Sequence, residues 1–160
     1  MSLFATAGMK LHIGGPITDN DADMVLADFT SVTWVEAKNL DSMGSLGDTA
    51  QVITAAVIDR NRDVKVKGTR NAGSMQVVFN IDYADPGQQA IIAAEKSVNN
   101  FAFKVTMNDA PEGGTPSTRL FIALVTSQAE QYDTANSIMK LNVTLEVNSN
   151  VVRTNAAPGT

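Results

Sequence analysis

His12 is the single histidine, and so the only side chain whose ordinary pKa suits proton transfer near neutral pH. It sits inside a short alternating run, Lys10 to Ile13, and no nucleophile-elbow motif accompanies it. That setting favours a structural or surface imidazole over a Ser-His-Asp site. Asp19, Asp21 and Asp23 are spaced like the opening of a calcium loop. The sixth position of such a loop needs glycine for its turn and holds Met24; the twelfth needs a bidentate glutamate and holds Thr30. Gly44-Ser-Leu-Gly47 and Gly68-Thr-Arg-Asn-Ala-Gly73 lack the spacing and the lysine of a phosphate loop, so these glycines read as turn formers. Asp82 and Asp85 flank a helix start, where capping accounts for Asp85. Cysteine is absent, which removes disulfides, thiolate nucleophiles and cysteine-based zinc sites. These residues predict no enzyme, no metal and no cofactor.

Charge is more informative. The 160 residues carry a formal net charge of −5, and only 18% are Asp, Glu, Lys or Arg, against roughly 25% in an ordinary globular chain. A neutral surface of this kind suits a protein covered by copies of itself. An acidic domain is also poorly built to grip phosphate backbones. The charges are segregated, with residues 1–48 acidic and residues 59–70 basic through Arg60, Arg62, Lys65, Lys67 and Arg70. A basic segment and an acidic N-terminal region on one chain could mate between copies, although a merely solvated loop would look the same. The stretch Met1 to Met9 lacks the early positive charge of a secretory signal, so the Asn142-Val-Thr144 acceptor pattern is not expected to be used. The longest apolar run, Leu120 to Val125, is too short to span a membrane, and synthesis in the cytoplasm is expected.

The elements that position these groups are mainly strands. Met75 to Tyr83, Phe101 to Met107 and Met139 to Val147 alternate apolar and polar residues with period two. Leu120 to Val125 is apolar on both faces, which predicts a central strand covered on both sides. One helix is predicted after Asp85, with Pro86 in its first turn and Gln88 at capping-box spacing. Ile91, Ala94 and Val98 form its apolar stripe, Gln88 and Glu95 lie on its polar face, and Asn99-Asn100 end it. Shorter strands are expected at Lys10 to Ile13 and Val32 to Glu36, separated by an acidic loop around Gly14-Gly15-Pro16 and Asp19 to Asp28. Leu40 to Arg70 has no helix signal and reads as a long irregular segment, extended in part at Gln51 to Ile58. Pro111 to Pro116 reads as a hairpin loop, and residues after Asn148 read as a tail.

The chain also resembles the phage tail tube protein family, in the version common among siphophage-like phages, prophages and gene transfer agents. The resembling stretches are Thr6 to Gly14, Lys67 to Met75, Asp85 to Lys96, Phe101 to Val105, Gly113 to Arg119 with Phe121 to Val125, and Asn148 to Arg153. Together they span most of the chain in family order. The resemblance implies a mainly β fold: one tail tube domain over residues 1–160, a β-sandwich of two sheets with one flanking helix. It implies an N-terminal arm at 1–9, a long stacking loop at 40–70 and a C-terminal tail at 148–160. It implies a homo-oligomer of hexameric rings stacked into a tube, located in the virion tail, with tape measure, tail terminator and distal tail proteins as partners. DNA would pass through the lumen without tight binding; the polar strand faces offer Gln76, Asn80, Asn142, Thr144 and Glu146 as candidates for its wall, and either sheet could face inward. Arg60, Arg62, Lys65 and Lys67 are the candidate clamp between subunits. Two alternatives stand beside this reading. One is the tube of a type VI secretion or related injection system; the other is a small β-sandwich binding module, which would need an aromatic platform. Beyond phenylalanine only Trp34, Tyr83 and Tyr132 could contribute to it, and Trp34 and Tyr83 lie in alternating runs and are expected to face a core instead.

Overall fold

The computed structural model describes residues 2–18 and 22–159. Ten strands dominate it: β1 Lys10–Pro16, β2 Val35–Ala37, β3 Leu40–Ser42, β4 Thr49–Ala55, β5 Val64–Asn71, β6 Ser74–Asn80, β7 Phe101–Thr106, β8 Thr118–Gln131, β9 Lys140–Val147 and β10 Val152–Thr154. The helix α1 spans Pro86–Glu95, and a 3-10 turn spans Leu26–Phe29. The fold is mainly β with one helix, as the resemblance implies, and its strands form one large sheet and one small two-stranded sheet.

The large sheet runs β2-β1-β7-β8-β9-β6-β3, with β10 added to the start of β8. Its two terminal strands, β2 and β3, are separated in sequence only by Lys38 and Asn39. Seven strands laid flat at about 4.8 Å spacing would hold their outer strands about 29 Å apart, whereas three Cα steps reach at most about 11 Å. The sheet therefore curls until its ends almost meet, and its two halves enclose one core. Asn39 makes the reversal at φ 64°, a left-handed conformation that asparagine tolerates better than most residues.

The core follows from the alternation. Met75, Val77 and Phe79 of β6 face Leu141, Val143, Leu145 and Val147 of β9, together with Phe103, Val105, Phe121 and Leu11 from the other half. Phe103 and Phe121 stack with centroids 5.7 Å apart. Leu120 to Val125 is covered on both sides, because Leu120 and Ile122 belong to a second cluster with Met24, Phe29 and Ala102 on the opposite face. That cluster is roofed by residues Ile17, Val32 and Trp34. The side chain of Asn150 pins the roof by accepting from the Met24 N–H (2.6 Å) and donating to the Met24 carbonyl (3.0 Å).

Helix α1 closes the seam. The Asp85 carboxylate accepts from the Gln88 N–H and, across the gap, from the Lys38 N–H, both at 3.0 Å. The Gln88 amide donates to the carbonyls of Lys38 and Asn80, both at 3.0 Å, and accepts from the Asp82 N–H at 3.1 Å. Gln88 is therefore buried, not on a polar face, and its side chain is spent on the seam instead of on a reciprocal capping box. Gly87 lets the helix lie flat on β2, since a Cβ there would meet the Glu36 carbonyl oxygen at 2.2 Å.

Several other expectations change. The helix stops at Glu95 and leaves Val98 94% exposed, outside the apolar stripe. Strand β1 runs on through Gly14-Gly15 to Pro16, because Phe101 still pairs with Pro16 across an irregular register. The run at Val32 to Glu36 yields a strand only at Val35–Ala37. Strand β6 ends at Asn80, so Tyr83 lies in a turn and is exposed, while Trp34 is half-buried under Phe29 and Lys104. The residues after Asn148 are stitched down rather than free: β10 pairs with β8, Thr115 pairs with Ala157, and the buried Ser117 hydroxyl accepts from the Ala156 N–H. Residues 40–70, read as irregular, form β3 and the β4–β5 hairpin.

Candidate assembly surfaces

The four clamp residues fall on the β4–β5 hairpin. Its strands pair antiparallel with Ala50 opposite Arg70, Val52 opposite Lys67, Ile53 opposite Val66, Thr54 opposite Lys65 and Ala55 opposite Val64. Neither strand joins the large sheet. Directly opposed residues share a face, so Lys65 and Lys67 lie on one side with Val52 and Thr54, and Ile53, Ala55, Val64 and Val66 lie on the other. Arg60 and Arg62 sit in the turn, where the Arg60 N–H donates to the Val57 carbonyl at 3.1 Å. The structure thus brings Lys65 and Lys67 together and places the two arginines at the tip. Among the described residues none of the four reaches an acid; the one ion pair found is Lys140–Asp41 at 2.7 Å.

The apolar side of the hairpin was not singled out from the sequence, although the Val64-Lys-Val66-Lys alternation carries the signal. Ile53 is 54% exposed, Val66 is 55% exposed and Ile58 at the turn is fully exposed. A two-stranded hairpin with no covered face is marginal in water. Among the described residues the apolar side of this amphipathic hairpin stays exposed, and an exposed apolar patch of this kind is the mark of an interaction surface.

A second surface is the outward face of β6 and β9. Gln76 opposes Thr144, Val78 opposes Asn142, Ser74 opposes Glu146 and Asn80 opposes Lys140. Side chains bridge along it: Thr144 Oγ1 donates to Gln76 Oε1 at 3.1 Å, and Asn142 Nδ2 donates to Gln131 Oε1 at 3.0 Å. The proposed wall residues therefore share one polar, nearly neutral face.

The residues that could do chemistry are scattered. His12 lies between Glu36 and Lys104 in the cross-strand register of β2, β1 and β7. Its Nδ1 is buried and makes no hydrogen bond among the described residues. Burial first, then the charges of Lys104 and Lys10, push its pKa down, with Glu36 opposing. Asp19 and Asp21 lie outside the described residues. Among the described residues no group of three or more His, Cys, Asp or Glu side chains could hold a metal ion, and no helix is long and apolar enough to cross a membrane.

The curled sheet with its near-closed seam, flanking helix and separate hairpin is the tail-tube fold. Solved structures share it along almost the whole chain. A chain of the anti-feeding prophage baseplate aligns with a TM-score of 0.66 and 14% identity, covering 97% of this chain and 98% of that one. A chain of the sheath/tube terminator structure of PVC, an extracellular contractile injection system, aligns at 0.67 and 13%, covering 96% and 98%. The tail tube of SPP1 aligns at 0.62 and 14%, covering 96% and 80%. At such identities the likeness is one of fold. No protein-family model matches the sequence, and a search of curated proteins finds no significant relative.

Proposed function

We propose that this chain is a structural tail tube subunit that assembles into hexameric rings, stacked to form the DNA conduit of a long, non-contractile phage tail. The observation that carries this reading is the β4–β5 hairpin, amphipathic and exposed, on a tail-tube fold that takes in 96% of the chain. Its lysine-bearing side and the two tip arginines are suited to the acids of a neighbouring subunit, and its apolar side to that neighbour's surface. The protein catalyses nothing and needs no metal or cofactor in this reading. Tape measure, terminator and distal tail proteins are its partners, the virion tail is its location, and the host cytoplasm is where it is made.

The test is assembly. Concentrated or seeded protein is expected to form rings or tubes by electron microscopy. Each exposed ion pair contributes about 0–1 kcal/mol, so one substitution will do little, but repetition around a ring multiplies the effect. Reversing Arg60, Arg62, Lys65 and Lys67 together is expected to block tube growth while circular dichroism stays unchanged. Normal tubes from the reversed protein would remove the clamp, and a monomer at every concentration would remove the tube.

A second reading is favoured by a specific observation. Structures of the anti-feeding prophage and of PVC align as well as the SPP1 tail tube does. Under this reading the chain is the tube, or a tube-terminating subunit, of a contractile injection system. Binding of assembled tubes to a co-expressed sheath protein would select it over the non-contractile tail.

A further inference from the structure

Four of the seven methionines line one cavity. Met9, Met43, Met75 and Met107 surround it with Leu46 and Val151, and its volume is about 430 Å³. That is within the roughly 300–1,000 Å³ range of ligand-sized clefts. Unbranched thioether side chains make a deformable apolar wall, suited to receiving another protein's side chains. Arg119, Arg153 and Asp48 also line it. Arg119 and Arg153 are cross-strand partners in β8 and β10, so two like charges stand side by side. Burial, and next the charge of Arg153, push the Arg119 pKa down, and Asp109 offsets this only in part. Asp48 is the one acid in the lining, so the two arginines leave it with a net positive charge.

Strand β8 starts at this cavity and ends at the far side of the sheet, in the β8–β9 turn. That turn exposes Tyr132, Met139 and Ile138, the last at 67%. Glu130 and Asp133 flank them. The turn is held in shape by its own hydrogen bonds. Gln131 Nε2 donates to Asp133 Oδ2 at 2.6 Å, the Thr134 and Ser137 hydroxyls are 3.0 Å apart, and the Tyr132 hydroxyl donates to Glu130. A preformed plug loses little entropy on docking.

We propose that the methionine-lined cavity receives the β8–β9 turn of a second copy, with Ile138 and Met139 entering it and Glu130 and Asp133 facing Arg153 and Arg119 of its lining. The charges match: Arg119 and its β10 partner Arg153 stand at one end of β8, and two acids stand at the other. Because plug and socket are different surfaces at opposite ends of one strand, the contact is heterologous, and copies add head to tail. The inference rests on the tube reading and names the contact that would carry its growth.

The chain has no cysteine of its own, which makes disulfide trapping clean. Copies carrying Leu46→Cys are mixed with copies carrying Ile138→Cys and oxidised at high concentration. A Leu46–Ile138 cross-link is expected, well in excess of either self-pair; no excess overturns the contact, whether or not tubes form. Ile138→Asp replaces an exposed side chain, so melting should be unchanged while polymer yield falls at least about tenfold, as for a buried interface anchor. Asp133→Arg and Arg153→Asp should each block growth, and growth should return when both are present. Wild-type yield from Ile138→Asp would overturn the proposal. If wild-type protein never assembles but the mixed cysteines link, the tube reading falls and the contact stands.

Discussion

At the scale of single residues, Gly87 and His12 make opposite points. Glycine in a helix ordinarily costs about 1 kcal/mol relative to alanine. Here a Cβ would sit 2.2 Å from the Glu36 carbonyl oxygen and 2.4 Å from the Ala37 Cα, both backbone atoms that cannot swing away. Gly87→Ala is therefore expected to destabilise the fold by about 1–3 kcal/mol in urea unfolding, despite the better helix former. His12 is held toward its neutral form by burial and two lysines. Its unfolded pKa is near 6.5. As pH falls through that value the unfolded chain takes up a proton that the folded one resists, so stability is present above about pH 6.5 and declines below it until the folded pKa is reached. The melting temperature of wild type should drop between pH 7 and 5, and His12→Gln should flatten that part of the curve. An identical slope in the variant would assign it to other groups.

At the scale of elements, α1 acts as a clasp. Its apolar side contributes Ile91 and Ala94 to the core, but the seam depends on Asp85 and Gln88, which tie Lys38 to Asn80 and to the helix start. Gln88→Leu keeps the size and removes the bonds, leaving two carbonyls and one N–H without that partner in a nearly dry place. Each unsatisfied buried group costs about 1–3 kcal/mol, so a loss of about 3 kcal/mol or more is expected in thermal or urea unfolding. Amides of β2 and β3 should also exchange faster, because they lie beside the opened seam. A cost below about 1 kcal/mol would mean that water replaces the glutamine.

At the scale of the whole molecule, the proposed tube would have to let a polyanion slide. Six copies at −5 each give about −30 per ring, a field that repels phosphates within roughly 8–10 Å. The candidate wall face of Gln76, Asn142 and Thr144 offers hydrogen bonds, and its one cation, Lys140, is offset by Glu146 on the same face. Gel shift on assembled tubes at moderate salt is expected to show no binding tighter than micromolar. Tight binding that weakens steeply with salt would place the hairpin's lysines against DNA and remove the passive conduit.

The strands of the core were legible because each has a buried and a wet face, and period-two alternation records that directly, as in Met75 to Phe79 and Leu141 to Val147. The helix start was legible because Asp85 and Pro86 act locally. Where Gln88 would go was not, since its partners at Lys38 and Asn80 come from two other parts of the chain and leave no local pattern. Tyr83 failed for a related reason: the alternation continues past Asn80, but the hydrogen-bonding partner strand does not. Within residues 40–70, the basic residues were visible as a cluster, while their division into a charged side and an apolar side needed the pairing register of β4 with β5. Composition and periodicity thus determined that the chain is mainly β and where its charges lie. Only the tertiary structure decided that the sheet curls shut, that four methionines separated by up to 98 residues meet in one cavity, and that the hairpin is left exposed. Alternation is set by each residue's immediate surroundings, whereas closure and cavities depend on contacts between segments that sequence spacing does not encode.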